Sequence, residues 1–147
     1  MILEKDVLDA VAISEDGQRE VLEIFDHLDW ENEDEHISLL QNKINSYLVF
    51  IQNGQPGLSK ENRKSLSKVK MVVIETTFQY PPSEECLRFL KWMQQKIHTL
   101  EDVKEIRKDR KLMKNAGKLK NVFLSYTVND PGAALRARPP LLLSEEM

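Results

Sequence analysis

The sequence predicts an α+β domain with a mixed sheet of about four strands, in the order β-β-α-β-α-(α)-β, and with helices packed mainly on one face. Three observations support this. Two short β-type runs flank an Asp-Gly pair near the N-terminus, a long stretch with helical spacing follows, and residues 69–80 are dense in β-branched and aromatic side chains. The 147 residues suit one domain, which we place at 1–130, with an irregular C-terminal tail at 131–147.

The first half of the chain predicts a hairpin followed by a helix. Residues 7–13 alternate loosely, residues 20–26 form a second run, and Asp16-Gly17 between them is typical of an antiparallel hairpin turn. The next apolar residues recur at spacings of three and four, which indicates one face of a helix ending near Gly54. They are Ile37, Leu40, Ile44, Tyr47, Leu48 and Ile51.

The second half predicts a surface loop over 54–68, a strong strand over 69–80, and a second helix after Pro81-Pro82. Ser83 is the expected N-cap of that helix. Its apolar stripe comprises Cys86, Phe89, Leu90, Met93 and Ile97. A right-handed crossover through the first helix would set the third strand parallel to the second.

Beyond this point a further helix is predicted over 100–116, because Thr99 and Asp102 resemble a capping box. A last strand is predicted over 122–128, and three prolines favour an irregular tail after it.

Composition limits the class of protein. The chain is 41% hydrophobic and 31% charged with a net charge of −3, which is typical of a soluble globular domain. It has neither the apolar core of a signal peptide nor a run long enough to span a bilayer, so we expect a cytoplasmic protein with no membrane association. The single cysteine, Cys86, excludes an internal disulfide and fits a reducing compartment.

Several blocks of the chain carry a resemblance to a known family. They are DHLDW at 26–30, Glu35-His36, LLQNKINSYLVFI at 39–51 and FQYPPSEECLRFL at 78–90. Together they resemble a family of small uncharacterised bacterial proteins defined as a domain of unknown function, over roughly residues 7–98. The resemblance implies no activity, cofactor or catalytic residue, and the segment 101–120 and the tail look like additions to it.

The acidic cluster, residues 26–36, contains six carboxylates and two imidazoles. His27, Asp29 and His36 are the candidate metal ligands, but their spacing matches no common metal-binding motif. The simpler interpretation is a helix start, in which Asn32 or Asp34 caps the first turn and Trp30 anchors the preceding loop. We therefore expect no cofactor and no bound metal, which elemental analysis of the purified protein would check.

Cys86 is the other candidate reactive group. It lies near the start of its helix, where backbone N–H groups can lower the pKa of a thiol, but it also fits the apolar stripe and has no histidine brought to it by the sequence. We interpret it as a buried, inert thiol. Since phosphate-binding and nucleophile motifs are missing as well, we expect no enzyme.

The charge is distributed unevenly along the chain. Residues 1–36 carry a balance of −11 and residues 104–120 a balance of +6. On a helix, the cations of the second segment would share one face and could follow nucleic-acid phosphates. They are Lys104, Arg107, Lys108, Lys111, Lys114 and Lys118. No aromatic residue lies among them and the whole chain is acidic, so a solvated face is favoured over a nucleic-acid site.

These observations predict a non-catalytic protein-interaction or accessory module, resembling immunity proteins, with an unknown protein partner. The predicted contact residues are Trp30, Trp92, Lys104, Arg107, Lys108 and Lys111. The alternatives are nucleic-acid binding through 104–118 and a metal-dependent enzyme using the acidic cluster. Both faces of the strand at 69–80 are apolar, so we expect a cover on each, supplied by a second copy in a homodimer rather than by the tail.

Overall fold

The computed structural model describes residues 2–55, 60–99 and 121–136. The elements in chain order are β1 (Ala10–Ile13), β2 (Arg19–Asp26), α1 (Glu33–Gln52), α2 (Lys60–Ser65), a 3-10 turn (Leu66–Lys68), β3 (Met71–Phe78), α3 (Glu84–Thr99), β4 (Val122–Val128) and α4 (Ala133–Arg136).

The four strands form one mixed sheet in the order β1-β2-β3-β4. β1 pairs antiparallel with β2, while β2 with β3 and β3 with β4 are parallel. The hairpin turn is fixed by Asp16, whose Oδ1 accepts hydrogen bonds from the Ser14 hydroxyl at 2.6 Å and the Gln18 amide at 3.0 Å. Gly17 follows with φ +74°, a conformation that favours glycine. The predicted fold class and the parallel third strand are confirmed.

One face of the sheet carries the main core. Leu22, Ile24, Ile74 and Leu124 point from the strands toward α1 and α3, and all four are at most 1% exposed. The apolar stripes predicted for the two helices form the opposite side of this core. Their fully buried residues are Leu40, Ile44, Leu48, Cys86, Leu90 and Ile97. Burial of apolar side chains at this density is the main source of stability.

The N-terminal segment is tied to α1 by a buried lysine. Lys43 has no exposed surface, and its Nζ donates to Glu4 O at 2.6 Å, Val7 O at 2.7 Å and Asp9 Oδ1 at 2.9 Å. Ile2 lies in the core beyond this tie, with its amide bonded to Phe25 O at 3.1 Å.

The second face of the sheet is covered in part by the start of the tail. The prediction of an irregular tail over 131–147 is wrong for 133–136, which form one helical turn, α4. Ala134 and Leu135 pack on Val21 and Val73 of the sheet. This contact orders the turn because it buries apolar surface that the two strands present.

α4 is also held by side chains of the strands. The Gly132 amide donates to Glu23 Oε1 at 2.6 Å and Glu75 Oε1 at 3.1 Å, and the Ala134 amide donates to Glu75 Oε2 at 2.7 Å. Arg19 Nη1 donates to Ala134 O at 2.5 Å. The carboxylates therefore satisfy amides at the start of α4 that have no partner within the turn.

The loop predicted over 54–68 is not a plain loop, because α2 and the 3-10 turn occupy 60–68. The helix predicted over 100–116 lies outside the described residues. Within residues 2–55, 60–99 and 121–136, no helix combines the length and apolar character needed to cross a bilayer.

Candidate functional site

The acidic cluster forms the connection from the end of β2 to the first turn of α1. Asp26 is the last residue of β2 and His36 lies in the first turn of α1, so the loop between them brings the two side chains together. Because β2 and β3 are parallel, this site lies beside Phe78 at the end of β3, at the edge of the sheet where α/β proteins commonly bind ligands.

His36 is held at both ring nitrogens. Nδ1 lies 2.9 Å from the backbone oxygen of Asp29, and Nε2 lies 2.5 Å from Asp26 Oδ2. The side chains of His36 and Asp26 are 2% and 0% exposed. Both functional ends of the imidazole are thus occupied inside the protein.

The hydrogen-bond partners determine the protonation of this pair. A carbonyl oxygen can only accept, so His36 Nδ1 carries a proton directed at Asp29. The hydrogen bond between Nε2 and Asp26 requires one further proton, because a deprotonated carboxylate and an unprotonated nitrogen would repel each other. Burial raises the pKa of Asp26, while hydrogen bonding and charge attraction from His36 oppose the rise. In either proton position the pair has no net charge, which suits its burial.

Trp30 completes this arrangement by stacking on the histidine. The Trp30 and His36 ring centroids are 3.8 Å apart with an interplanar angle of 18°. The ring centroid of Phe78 lies 6.0 Å from that of Trp30. Trp30 is half-buried and packs against the main core. It acts as the predicted anchor of the loop, and its ring contacts the buried side chains of His36 and Phe78.

The loop backbone is fixed by its own aspartates. Asp26 Oδ1 accepts from the Leu28 amide and Asp29 Oδ1 from the Glu31 amide, both at 3.1 Å. Asn32 stands at the N-cap position of α1 but makes no side-chain capping bond. The acidic residues therefore turn the chain before the helix rather than cap it.

The candidate metal ligands do not form a coordination site. A cavity of about 200 Å³ lies beside His36 and is lined also by Asp29, Asn32 and Glu35. His36 is engaged with Asp26, and Asp29 meets it through a backbone oxygen. In the part of the chain that the structure describes, no three His, Cys, Asp or Glu side chains are grouped to hold a metal ion. The expectation of no bound metal stays a prediction.

Cys86 is fully buried at the start of α3. Its amide is capped by Ser83 Oγ at 3.2 Å, as the sequence predicts. Burial, with added repulsion from the negative charges of Asp26 and Glu33, raises the pKa of the Cys86 thiol to about 12. At neutral pH the thiolate needed for nucleophilic attack is therefore scarce.

The outer face of α3 carries the predicted contact residue Trp92. Trp92 is 45% exposed, with Phe89 at 6.3 Å between ring centroids and Lys96 Nζ at 5.9 Å from its ring. Arg88 and Glu85 form an exposed ion pair one turn earlier. The other predicted contact residues, Lys104, Arg107, Lys108 and Lys111, lie outside the described part of the chain.

Comparison of the sequence with known protein families identifies one family that matches most of the chain. The family of unknown function DUF6572 matches residues 1–107. The chain belongs to this family. No curated protein and no solved structure matches the chain. In this DUF6572 protein, the Asp26–His36 pair and Trp92 fall within the matched residues, whereas α4 and residues 108–136 lie beyond them.

Sequence reasoning missed the buried charges of this DUF6572 protein. Lys43, Glu20 and Glu75 are each 0% exposed. Lys43 falls at helical spacing three residues after Leu40, which is a weak signal of an inward position. Glu20 and Glu75 lie in runs that read as strands, where a carboxylate is normally assigned to solvent.

Proposed function

We propose that this DUF6572 protein is a non-catalytic protein-interaction module that binds its partner through the outer face of α3. The observation that carries the proposal is the exposure of Trp92 on a helix whose opposite face is buried. Exposed tryptophans are enriched among the residues that dominate binding energy, because they bury a large, rigid surface on contact.

The chemistry of the neighbouring residues supports an acidic partner. Arg88, Lys91 and Lys96 flank Trp92 at positions one and four residues away along the helix. Lys96 already lies over the ring, so an approaching carboxylate would meet a cation beside an apolar surface. Complementary charge would orient the partner, and the indole would supply most of the affinity.

The state of the reactive groups supports a role without catalysis. His36 has both nitrogens occupied, Asp26 is buried against it, and Cys86 lies inside the core. A general base must reach the proton of a substrate and a nucleophile must reach a substrate atom. These groups instead stabilise the loop and the core.

The test uses two exposed aromatic residues of nearly equal exposure. Trp92 is 45% and Tyr80 is 44% exposed, so Trp92→Ala and Tyr80→Ala remove comparable surface from different places. Affinity capture from the native host, with and without nuclease, identifies partners, and each purified partner is then titrated against the wild type and both variants by calorimetry.

We expect Trp92→Ala to weaken the purified complex at least about 10-fold and Tyr80→Ala to leave it unchanged, because a central tryptophan contributes about 2 kcal/mol or more. Equal affinity of all three proteins would refute the α3 surface. Capture that disappears after nuclease treatment would favour nucleic-acid binding through 104–118 instead.

A further inference from the structure

A second cavity lies at the opposite end of the sheet from His36. It has a volume of about 310 Å³ and occupies the space between the end of α1 and the chain that enters β3. We name it the amino-edge cavity, and its lining residues are Glu20, Ile51, Gly54, Gln55, Leu66, Val69, Lys70, Val72 and Asn121. Its volume is at the lower end of the range for small-molecule sites.

Two of the polar lining residues, Glu20 and Gln55, are buried and paired with each other, whereas Lys70 is exposed. Gln55 Nε2 donates to Glu20 Oε1 at 2.6 Å, and the two residues are 6% and 0% exposed. The remaining oxygens, Glu20 Oε2 and Gln55 Oε1, are buried and make no hydrogen bond within the described structure. Buried polar atoms nearly always have partners, so two neighbouring side chains with spare acceptors need an explanation.

The backbone that positions Gln55 is unfavourable for its residue type. Gln55 has φ +54° directly after Gly54 at φ +76°. The conformation is held by the Gln55 amide bonding to Phe50 O at 2.9 Å and the Gly54 amide bonding to Ile51 O at 3.0 Å. A left-handed residue other than glycine costs about 1 kcal/mol, and such strain is often concentrated at binding sites.

We propose that the amino-edge cavity binds the ammonium group of a small primary amine with a short apolar body. An ammonium carries three N–H donors and one positive charge, which complement two unpartnered oxygens and a buried carboxylate. Ile51, Leu66, Val69 and Val72 supply the apolar walls. A neutral alcohol could occupy the same volume but would bring no positive charge to the buried Glu20 carboxylate.

Binding includes a movement of one wall. Glu20 and Gln55 have almost no surface open to solvent, so the amine reaches them only when the wall opposite shifts. Leu66 begins the 3-10 turn and Val69 follows it directly, and both are half-buried. A short 3-10 turn is held by few hydrogen bonds, so we place the movement there.

The test compares isopentylamine with isopentanol, which share the apolar body and differ in the charged group. Each is titrated into the ¹⁵N-labelled full-length chain while backbone amide shifts are recorded. We expect saturable shifts with the amine at Ile51, Gly54, Leu66 and Val69, with an affinity between about 1 μM and about 1 mM, and far weaker shifts with the alcohol.

Two variants isolate the carboxylate. Glu20→Gln keeps the shape of the side chain and removes its charge, and we expect it to weaken amine binding at least about 10-fold. Glu15→Gln removes the same charge from an exposed residue and should bind the amine as the wild type does. Trp92→Ala should also bind the amine as the wild type does. A failure of the proposed α3 interaction surface can therefore be distinguished from a failure of the proposed amine site.

Three results would overturn the proposal. One is the lack of any saturable shift with isopentylamine up to about 10 mM on the wild-type chain, beyond the weakest affinity expected here. Another is an equal response to isopentanol, which would show a cavity that recognises only the apolar body. The third is an unchanged amine affinity in Glu20→Gln. The first two use only the wild-type chain and do not depend on folding of a variant.

Discussion

Asp26 Oδ2 and His36 Nε2 lie 2.5 Å apart, although the two residues are ten positions apart in the chain and belong to a strand and a helix. Their contact closes the loop between β2 and α1, and Trp30 stacks on the outer side of the imidazole. The residues of DHLDW and Glu35-His36, which carry the resemblance to the family, thus have a structural reason to occur together. The histidine stabilises the loop by joining its two ends.

This contact predicts stability losses of different size for two substitutions. His36→Ala leaves the Asp26 carboxyl buried without its partner and removes the ring under Trp30, so we expect a loss of about 3 kcal/mol in the free energy of unfolding. Asp26→Asn can donate its amide N–H to His36 Nε2 and still accept from the Leu28 amide, and it should cost less than about 1 kcal/mol. Urea denaturation measures both.

His27→Ala is the control, because the neighbouring imidazole is half-buried and its Nδ1 has no partner in the described structure. It should destabilise the protein less than His36→Ala. A larger effect for Asp26→Asn than for His36→Ala would show that the carboxylate, and not the hydrogen bond to His36, holds the loop.

Lys43 predicts a local change in the N-terminal segment. All three of its ammonium hydrogens have acceptors in residues 4–9, so Lys43→Met releases this segment and removes one cation from the buried Asp9 carboxylate. We expect a loss of about 3 kcal/mol in unfolding free energy and faster amide hydrogen exchange over residues 2–9.

The double variant Lys43→Met with Asp9→Asn tests the cause. It should recover part of the stability lost in Lys43→Met, because the buried charge that has lost the attraction of Lys43 is then removed. No recovery would mean that the two backbone contacts of Lys43 account for the whole effect.

Cys86 predicts slow chemistry in the folded protein. The buried thiol, with its pKa raised to about 12, should react with iodoacetamide only when the chain opens, so the labelling rate should follow the urea dependence of unfolding. Native labelling as fast as that of the denatured chain would show an exposed thiol and reopen the catalytic interpretation.

Much of the fold follows from local pattern. The strand at 122–128 has the bounds that its β-branched residues predict, and the stripe from Leu40 to Ile51 is the buried face of α1. These predictions succeed because the spacing of apolar residues, two in a strand and three to four in a helix, depends only on residues within the same element. The turn at Asp16-Gly17 succeeds for the same reason.

The missed features depend on contacts between distant segments. Gly132 meets Glu75 across 57 positions, and Lys43 meets Glu4 across 39. A single sequence carries no signal for such pairs, so Glu75 reads as a solvent-facing strand residue. Asp26 and His36 both lie within the acidic cluster, but the ten positions between them give no sign that the two side chains are in contact.

Glu75 predicts a dependence of stability on pH. Burial raises the pKa of Glu75 to about 7, the Ala134 amide opposes the rise, and the adjacent Glu23 adds to it. A carboxyl with a raised pKa contributes stability fully below its unfolded value, and this contribution is lost as the pH rises through about 7.

The unfolding free energy of the wild type should therefore fall between about pH 5 and about pH 8, by an amount on the order of 2 kcal/mol from this group. Glu75→Gln has the shape of the protonated Glu75 side chain and can donate a hydrogen bond to Glu23. Because this amide does not titrate, the variant should show a flatter dependence of unfolding free energy on pH. Glu15→Gln, an exposed control, should retain the slope of the wild type. Parallel profiles for wild type and Glu75→Gln would place the titration elsewhere.

The docking of α4 predicts how the second face of the sheet is covered. Two shortened chains separate α4 from the residues after it, because one ends at Asp130 and the other at Arg136. Only the longer one retains Ala134 and Leu135 on Val21 and Val73, together with the backbone amides that bond to Glu75.

We expect the chain ending at Arg136 to behave as the full-length protein in light scattering and denaturation. The chain ending at Asp130 should be less stable and should self-associate, since Val21 and Val73 lose apolar contact and Glu75 loses two N–H donors. α4 would then cover the face of the sheet for which the sequence predicts a second copy of the chain as the cover. A dimer of the same size in all three chains would instead show that self-association does not depend on α4, and it would support the homodimer that the apolar sheet face predicts.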